Sequence, residues 1–455
     1  MQSGGEEKVP VSSGEVRKGA EEVCRRLHEA GYEALFAGGC VRDLGLGTDP
    51  VDFDIATSAR PDDVAALFSR TVPVGARFGV TLVVTEKGAF EVTTFRSDGD
   101  YLDHRRPSQI TYSDARGDAA RRDFTINGMF LDPRTDEIID YVGGQADLAA
   151  GLVRAIGDPE ERFREDRLRM IRAVRFAAKL RSTIDPPTLV AVQAKAPKIL
   201  DIAWERIGDE LRKILADGEA SRALALLSET GLLARILPEI EAMQGVAQSP
   251  DHHPEGDVFT HTRLCVAGLE EGHDEALRLA VLLHDVAKPL CAETDGDGRI
   301  RFYGHCERGG EMARKICERL RYSNAVRDKV SWLVTHHLRH LNARQMRLST
   351  LKRFLAEPFF DDLLELIRID TLAGSGNLDL WHFLKNQQRE MSSAEVAPEP
   401  LVRGADLLAL GYKAGPGMRE ILDATYDAQL EGVFLEAKSA RAWVLQEFSL
   451  PKNAS

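Results

Sequence analysis

Apolar residues at Val16, Ala20, Val23, Leu27 and Ala30 recur at helical spacing and stop at Gly31, which predicts an amphipathic helix over 14–30. The pattern then shortens: apolar runs at 33–37, 51–56, 80–85, 89–95, 129–132 and 138–141 have the length and side-chain types of strands, and Pro61 opens a short helix over 61–69. Residues 96–117 are polar and turn-rich, as in long loops that often carry function. From Pro159 onward strand signals nearly vanish and apolar positions keep helical spacing through most of the chain. The expectation is an α+β head with a small mixed sheet and helices, followed by an all-α remainder. Breaks at Asp185-Pro186-Pro187, at 248–257 and at 394–400 divide that remainder.

At 455 residues the chain exceeds one ordinary core, and 43% hydrophobic with 29% charged residues supports folded domains. No apolar stretch reaches the length of a membrane span, and residues 1–20 lack the apolar centre of a secretory signal. Six scattered cysteines without a C-x-x-C pair fit the reduced thiols of a cytoplasmic protein. A net charge of -13 argues against indiscriminate polyanion binding, so a nucleic-acid partner must be gripped by local basic surface. Residues 160–213 supply one, with thirteen Lys and Arg against nine acids.

The candidate chemistry begins at Gly38-Gly39-Cys40-Val41-Arg42-Asp43, nine residues before Asp52-Phe53-Asp54. In an extended segment Asp52 and Asp54 project to one side, so both carboxylates can reach one Mg²⁺ site, while the glycines let backbone N–H groups approach a triphosphate. Arg121-Arg122-Asp123-Phe124-Thr125-Ile126-Asn127 packs guanidiniums, a carboxylate and an amide into one segment; it suits phosphate and sugar hydroxyls, or else a helix start with charged flanks. Further on, Asp166 and Arg169 lie one turn apart on a predicted helix that also carries Arg172 and Arg175. The pattern fits an ordinary ion pair of Arg169 with Glu165 or Asp166. It also fits base reading: a carboxylate beside a guanidinium complements the amine and ring-nitrogen acceptor shared by cytosine and adenine, and mismatches uracil and guanine.

In order and spacing these residues resemble the bacterial-type (class II) tRNA nucleotidyltransferases and their relatives the bacterial poly(A) polymerases, within the DNA polymerase β-like superfamily. The resemblance covers roughly residues 30–215. It implies Asp52 and Asp54 as catalytic Mg²⁺ ligands and Gly38, Gly39, Arg42 and Asp43 as the triphosphate turn. It further implies Arg122, Asp123 and Asn127 at the ribose, and Asp166 and Arg169, joined by Arg172 and Arg175, at the incoming nucleotide. Asp140–Asp147 resembles a hinge motif and Arg206–Glu210 a structural neck motif. The loop from Arg96 to Pro107 resembles the one full CCA-adding enzymes need for the last A, and Val74–Val80 the CCA-adding form rather than the polymerase form.

Nine of the twelve histidines fall between 252 and 340, and the informative string is His284-Asp285 in Leu282–Lys288. Adjacent helix positions can pinch a divalent metal only if other segments close the cage; His261, His305, His336, His337 and Asp370 are available, and buried structural histidines are the plainer alternative. The arrangement resembles the HD phosphohydrolase domain, with His261, His284, Asp285 and Asp370 as its core set and His305 and His336 matching the extra histidines of two-metal members. An unspecified divalent metal is implied there, and Lys288 is a candidate phosphate contact.

The resulting organisation is a disordered N-terminus over 1–13, a head over 14–150, a helical neck and RNA-binding body over 151–248, an HD-type domain over 249–375 and a C-terminal helical tail over 376–455. The implied function is addition of CCA to tRNA from CTP and ATP in the cytoplasm, with no membrane partner and with a hydrolase activity in the HD domain. Poly(A) polymerase and partial CC- or A-adding enzymes are the rivals within the class. An HD phosphohydrolase with an RNA-binding head is the rival outside it.

Overall fold

The computed structural model describes residues 13–75, 79–99, 110–250 and 253–450. The expected disorder at 1–13, residues 76–78 of the Val74–Val80 motif, and all of the Arg96–Pro107 loop beyond Gly99 fall wholly or mostly outside those residues. The chain divides after Pro238 into two compact units.

The first unit opens with a helix at Ser13–Glu29 and a seven-stranded mixed sheet. Its strands are β1 Ala34–Ala37, β2 Asp54–Thr57, β3 Thr71–Gly75, β4 Val80–Thr85 and β5 Gly88–Thr94, completed by β8 Phe130–Asp132 and β9 Glu137–Ile139, in the order β3-β4-β5-β2-β1-β8-β9. Within this sheet, among the described residues, only β2 and β5 pair in parallel. Alternation along β1 and β2 sends Phe36 and Ile55 to one core, with Phe53 and Phe90, and Leu35, Ala37 and Ala56 to another, with Phe95 and Phe130. The expected long loop is shorter: β6 Arg96–Asp98 and β7 Ile110–Tyr112 pair antiparallel, and a helix follows at Ala115–Ala120. The segment that follows is helical, with Leu168–Lys179 and Trp204–Leu215 as the elements that line a cleft together with head residues.

The second unit is helical apart from a short hairpin of Ala292–Thr294 and Ile300–Phe302, which the sequence did not predict. By contacts it begins at Glu239, ahead of the expected domain start at 249. Glu239 pairs with Arg319 at 2.8 Å, and Gly245 N donates to Asp257 Oδ2 at 2.6 Å. Helix Glu275–Leu283 is buried from Ala276 to Leu283; all of these residues are apolar except Arg278, whose Nη2 donates to the carbonyls of Glu270 and Glu271 at 3.1 and 2.6 Å. A separate small core of Leu407, Tyr412, Phe434 and Val444 lies within the last fifty residues. Among the described residues no helix is long and apolar enough to cross a membrane, and the six cysteines are free thiols.

Candidate active site and candidate metal centre

β1 ends at Ala37 opposite Asp54, the first residue of β2, so the Gly38-Gly39 turn and the aspartates emerge at the same end of adjacent antiparallel strands. Asp52 precedes the strand rather than lying in it, yet with Phe53 and Ile55 buried in the core, both carboxylates line one cleft of about 1100 Å³. Pairing of Ile55 with Val92 brings Glu91 beside Asp54. Burial, then the Asp52 and Glu91 charges, push the Asp54 carboxyl up to about 6, with Arg122 opposing. Gly38 has φ 74°, and a Cβ there would stand 3.0 Å from Arg122 Nη1, so glycine is what permits this close approach.

The segment before β8 supplies the opposite wall. Arg121 and Arg122 both grip the buried Asp118, Nη2 to carboxylate at 2.7 and 3.0 Å; burial alone would raise that carboxyl, and the two guanidiniums hold it below its ordinary range. Asp123 accepts from Asn127 Nδ2 at 3.2 Å and from Arg172 Nε and Nη2 at 2.8 and 2.6 Å. Arg42, 4% exposed, donates Nη1 to Asn127 Oδ1 at 2.8 Å and its other nitrogens to Asp43. Asp43 does not line the cleft; it serves as the counter-ion of Arg42. Arg175 is held by the buried Glu210 at 2.7 Å, and the guanidiniums of Arg42, Arg172 and Arg175 lie 5.2, 5.2 and 4.3 Å from the Phe176 ring.

Against burial, which would raise it, Arg172 draws the Asp123 carboxyl down to about 2. An unfolded aspartate titrates near about 3.9, so this pair stabilises the fold above about pH 4, and the contribution is lost as pH falls toward 2. Urea midpoints between about pH 5 and 3 should therefore fall more steeply for the parent protein than for Asp123→Asn; parallel slopes would contradict the pairing.

The expected continuous helix around Asp166 is broken. Asp166 caps Pro159–Glu165 with φ -140°, and a new helix starts at Leu168. No direct pair joins the two proposed base-reading residues: Asp166 Oδ2 accepts from Arg206 Nη2 at 2.8 Å, while Arg169 donates to Glu165 at 2.6 Å and to the Arg121 carbonyl at 3.1 Å. Each is oriented by a third residue, and both line the cleft.

In the second unit, His284 and Asp285 lie in the turn after helix Glu275–Leu283, not within it. His261 Nε2 is 2.9 Å from Asp370 Oδ1 and 3.9 Å from Asp285 Oδ2, and His284 Nε2 is 3.2 Å from Asp285 Oδ2. Asp285 Oδ1 faces His305 Nε2 at 3.6 Å and His337 Nε2 at 3.8 Å. Lys288 Nζ lies 2.7 Å from Asp285 Oδ2 and donates to Gln248. Burial would lower the His284 imidazole, but Asp285 and Asp370 raise it to about 9; burial and the His284 charge push His337 down to about 3. Gly310 lets helix His305–Arg319 approach Asn324–His336, since a Cβ there would overlap Thr335 Oγ1.

His336 is a correction: it stacks on Trp332 with ring centroids 4.4 Å apart, outside the cluster, and His337 takes the place expected for it. The helical phase carried that signal, because buried Val330, Leu333 and Val334 share a face with position 337. Glu91 and Glu255 are absent from the sequence reading, whereas Glu210 falls in the Arg206–Glu210 motif read as structural, in keeping with its hold on Arg175. Glu91 is the lone charge in an apolar strand, a signal that was available; Glu255 is recognisable only from its contacts.

Residues 34–154 match the family described as "Poly A polymerase head domain", residues 183–244 that described as "Probable RNA and SrmB- binding site of polymerase A", and residues 252–368 the HD domain. The CCA-adding enzyme of Geobacillus thermodenitrificans (strain NG80-2) is 49% identical over 211 residues, which are 46% of this chain and 52% of that protein. That of Geobacillus stearothermophilus is 46% identical over 213 residues, 47% and 52% of the two chains. The chain thus spans about half the length of these relatives in the matched region. A crystal structure of the Bacillus stearothermophilus CCA-adding enzyme in complex with CTP is similar over 94% of this chain and 96% of that one, with a TM-score of 0.73 and 29% identity. The cleft at the strand ends, the three successive family matches and this likeness agree: the chain carries a poly(A) polymerase head domain, a polymerase-type RNA-binding segment and an HD domain in succession, and is similar in sequence and fold to CCA-adding enzymes.

Proposed function

We propose that the chain adds CCA to the 3' end of tRNA from CTP and ATP, without a nucleic-acid template, in the cytoplasm. The observation that carries this reading is the convergence on one cleft of Asp52, Asp54, the Gly38-Gly39 turn, Arg122, Asp123, Asn127, Asp166 and Arg169. The oxygen-only donor set of Asp52 and Asp54, with Glu91 beside them, fits Mg²⁺, which would offset the burial and the carboxylate repulsion that raise the Asp54 carboxyl. Mg²⁺ held there would acidify the attacking hydroxyl and stabilise charge on the attacking and leaving oxygens. The terminal 3'-hydroxyl attacks the α-phosphate, the α–β phosphoanhydride bond breaks, pyrophosphate leaves and the hydroxyl proton passes to solvent. Backbone N–H groups of the glycine turn and Arg42 hold the triphosphate, Asp123 and Asn127 the ribose, and Asp166 with Arg169 the base edge. The basic stretch 160–213 supplies charge for the acceptor arm.

Purified protein given tRNA lacking its terminal CCA should add two residues with CTP alone, none with ATP alone and three with both. Long A tracts would identify a poly(A) polymerase; arrest after two residues with both nucleotides, or addition of a single A only to an acceptor ending in CC, would identify a partial enzyme.

The second unit supports a second activity, phosphohydrolysis at RNA 3' ends or on nucleotides, with a divalent metal among His261, His284, Asp285, His305, His337 and Asp370. The fit rests on His284 Nε2, buried and without a hydrogen-bond partner, facing two carboxylates. Metal content after dialysis should be unchanged by His336→Ala and weakened roughly 10- to 100-fold in affinity by His337→Ala; equal effects would contradict the assignment. Phosphoesterase activity should be lost in His284→Ala.

A further inference from the structure

The histidine and aspartate cluster of the second unit includes a thiol that the His, His-Asp and Asp pattern does not call for. Cys265 follows His261 by one turn on helix Val258–Ala267, so the two side chains share a face. Cys265 is fully buried, with Sγ 3.4 Å from His261 Nε2. His261, Cys265, His284 and Asp370 each offer one ligand atom, all within 4.8 Å of one another. Asp370 Oδ1 stands 2.9 Å from His261 Nε2 and 3.8 Å from His284 Nε2. Tetrahedral donors at Zn–N and Zn–S lengths of about 2.0 and 2.3 Å are roughly 3.3 to 3.8 Å apart, which the 3.4, 2.9 and 3.8 Å separations of Cys265–His261, His261–Asp370 and His284–Asp370 approach to within a few tenths of an ångström.

The imidazoles are set for ligation by the same nitrogens. His284 Nδ1 is taken by the Val281 carbonyl at 2.9 Å, which leaves Nε2, without a hydrogen-bond partner, pointing to the group. Glu255 Oε1 sits 2.5 Å behind His261 Nδ1, the carboxylate-on-imidazole arrangement that orients a metal-binding ring.

We propose that Cys265 is a metal ligand alongside His261, His284 and Asp370, so that the centre takes a thiophilic divalent ion such as zinc in preference to magnesium. This rests on the reading of the cluster as a metal centre. A sulfur donor selects zinc over hard ions. Binding breaks the S–H bond, forms the metal–sulfur bond and releases the proton to solvent.

The test uses the full chain, stripped of metal and reloaded with one equivalent of Zn²⁺ or Co²⁺. Zinc X-ray absorption should show a sulfur neighbour at about 2.3 Å, and the cobalt form a thiolate charge-transfer band in the near ultraviolet. The head's carboxylates offer only oxygen and cannot produce either signal. Both should vanish in Cys265→Ser and persist in Cys306→Ser and Cys291→Ser. A bound ion with only nitrogen and oxygen neighbours in the wild type would overturn the thiol ligand while leaving the metal centre standing, and signals lost in Cys306→Ser instead would assign them to the wrong thiol. No tight binding at all would remove both claims. If Cys265→Ser does not fold, the wild-type spectra read beside Cys306→Ser and Cys291→Ser decide the question: a sulfur signal kept in both supports Cys265, and one lost in either overturns it.

Discussion

Asp54→Asn should lower the rate of CMP and AMP incorporation alike by on the order of a thousandfold or more, while phosphoester hydrolysis by the HD unit continues. Charge stabilisation by a carboxylate-held ion is worth several kcal/mol, and each 1.4 kcal/mol is about tenfold in rate. Asparagine keeps the side chain's size at the mouth of β2, and it removes a carboxylate that its neighbours Asp52 and Glu91 disfavour, so thermal stability should hold or rise slightly. Single-turnover incorporation with a CCA-less tRNA, read beside a melting curve, checks both parts. The double variant Asp52→Ala with Asp54→Ala separates the rival in which the HD unit is the only enzyme: retained incorporation would refute the role of these carboxylates, and joint loss of both activities would point to misfolding.

The second large effect concerns base choice. Arg169→Ala, or Asp166→Ala, should reduce the preference for CTP over UTP and for ATP over GTP, in kcat/KM, by on the order of a hundredfold. A site that hydrogen-bonds a base edge rejects the analogue of reversed polarity because buried donors and acceptors are left unpaired, at about 1–3 kcal/mol each. Arg206 holds Asp166, and Glu165 holds Arg169, by 2.8 and 2.6 Å bonds. Arg206→Ala and Glu165→Gln should therefore lower the same ratio by less, and lower kcat more than they raise KM. Unchanged selectivity in Arg169→Ala with reduced overall rate would make that residue structural only.

What the sequence revealed and what it concealed follow from the range of the interactions involved. The head's strands were legible as short apolar runs. β3 was missed because Pro73 and Gly75 within five residues read as a turn; proline is tolerated there because β3 is the edge of the sheet. The Asp52 and Asp54 pair was legible from period-two alternation, but the approach of Glu91 depends on parallel pairing of β2 with β5, which no local pattern announces. Likewise Glu165 is a near neighbour of Arg169 and was named as its possible partner, whereas Arg206, which captures Asp166 from 40 residues away, was not anticipated. His337 was within reach of the sequence, since the phase of Val330, Leu333 and Val334 points to it and away from His336. The domain break at 248, on a polar turn, falls between the family matches that end at 244 and begin at 252, while Glu239 with Arg319 and Gly245 with Asp257 tie the residues just before it to the second unit.

The most direct measurement is competition between nucleotides for the full chain in Mg²⁺ without tRNA. If one cleft with a protein-read base edge serves both substrates, CTP and ATP should displace each other completely at a stoichiometry of one per head, and UTP and GTP should bind far more weakly. Simultaneous binding of CTP and ATP, or equal affinity for all four nucleotides, would contradict the account.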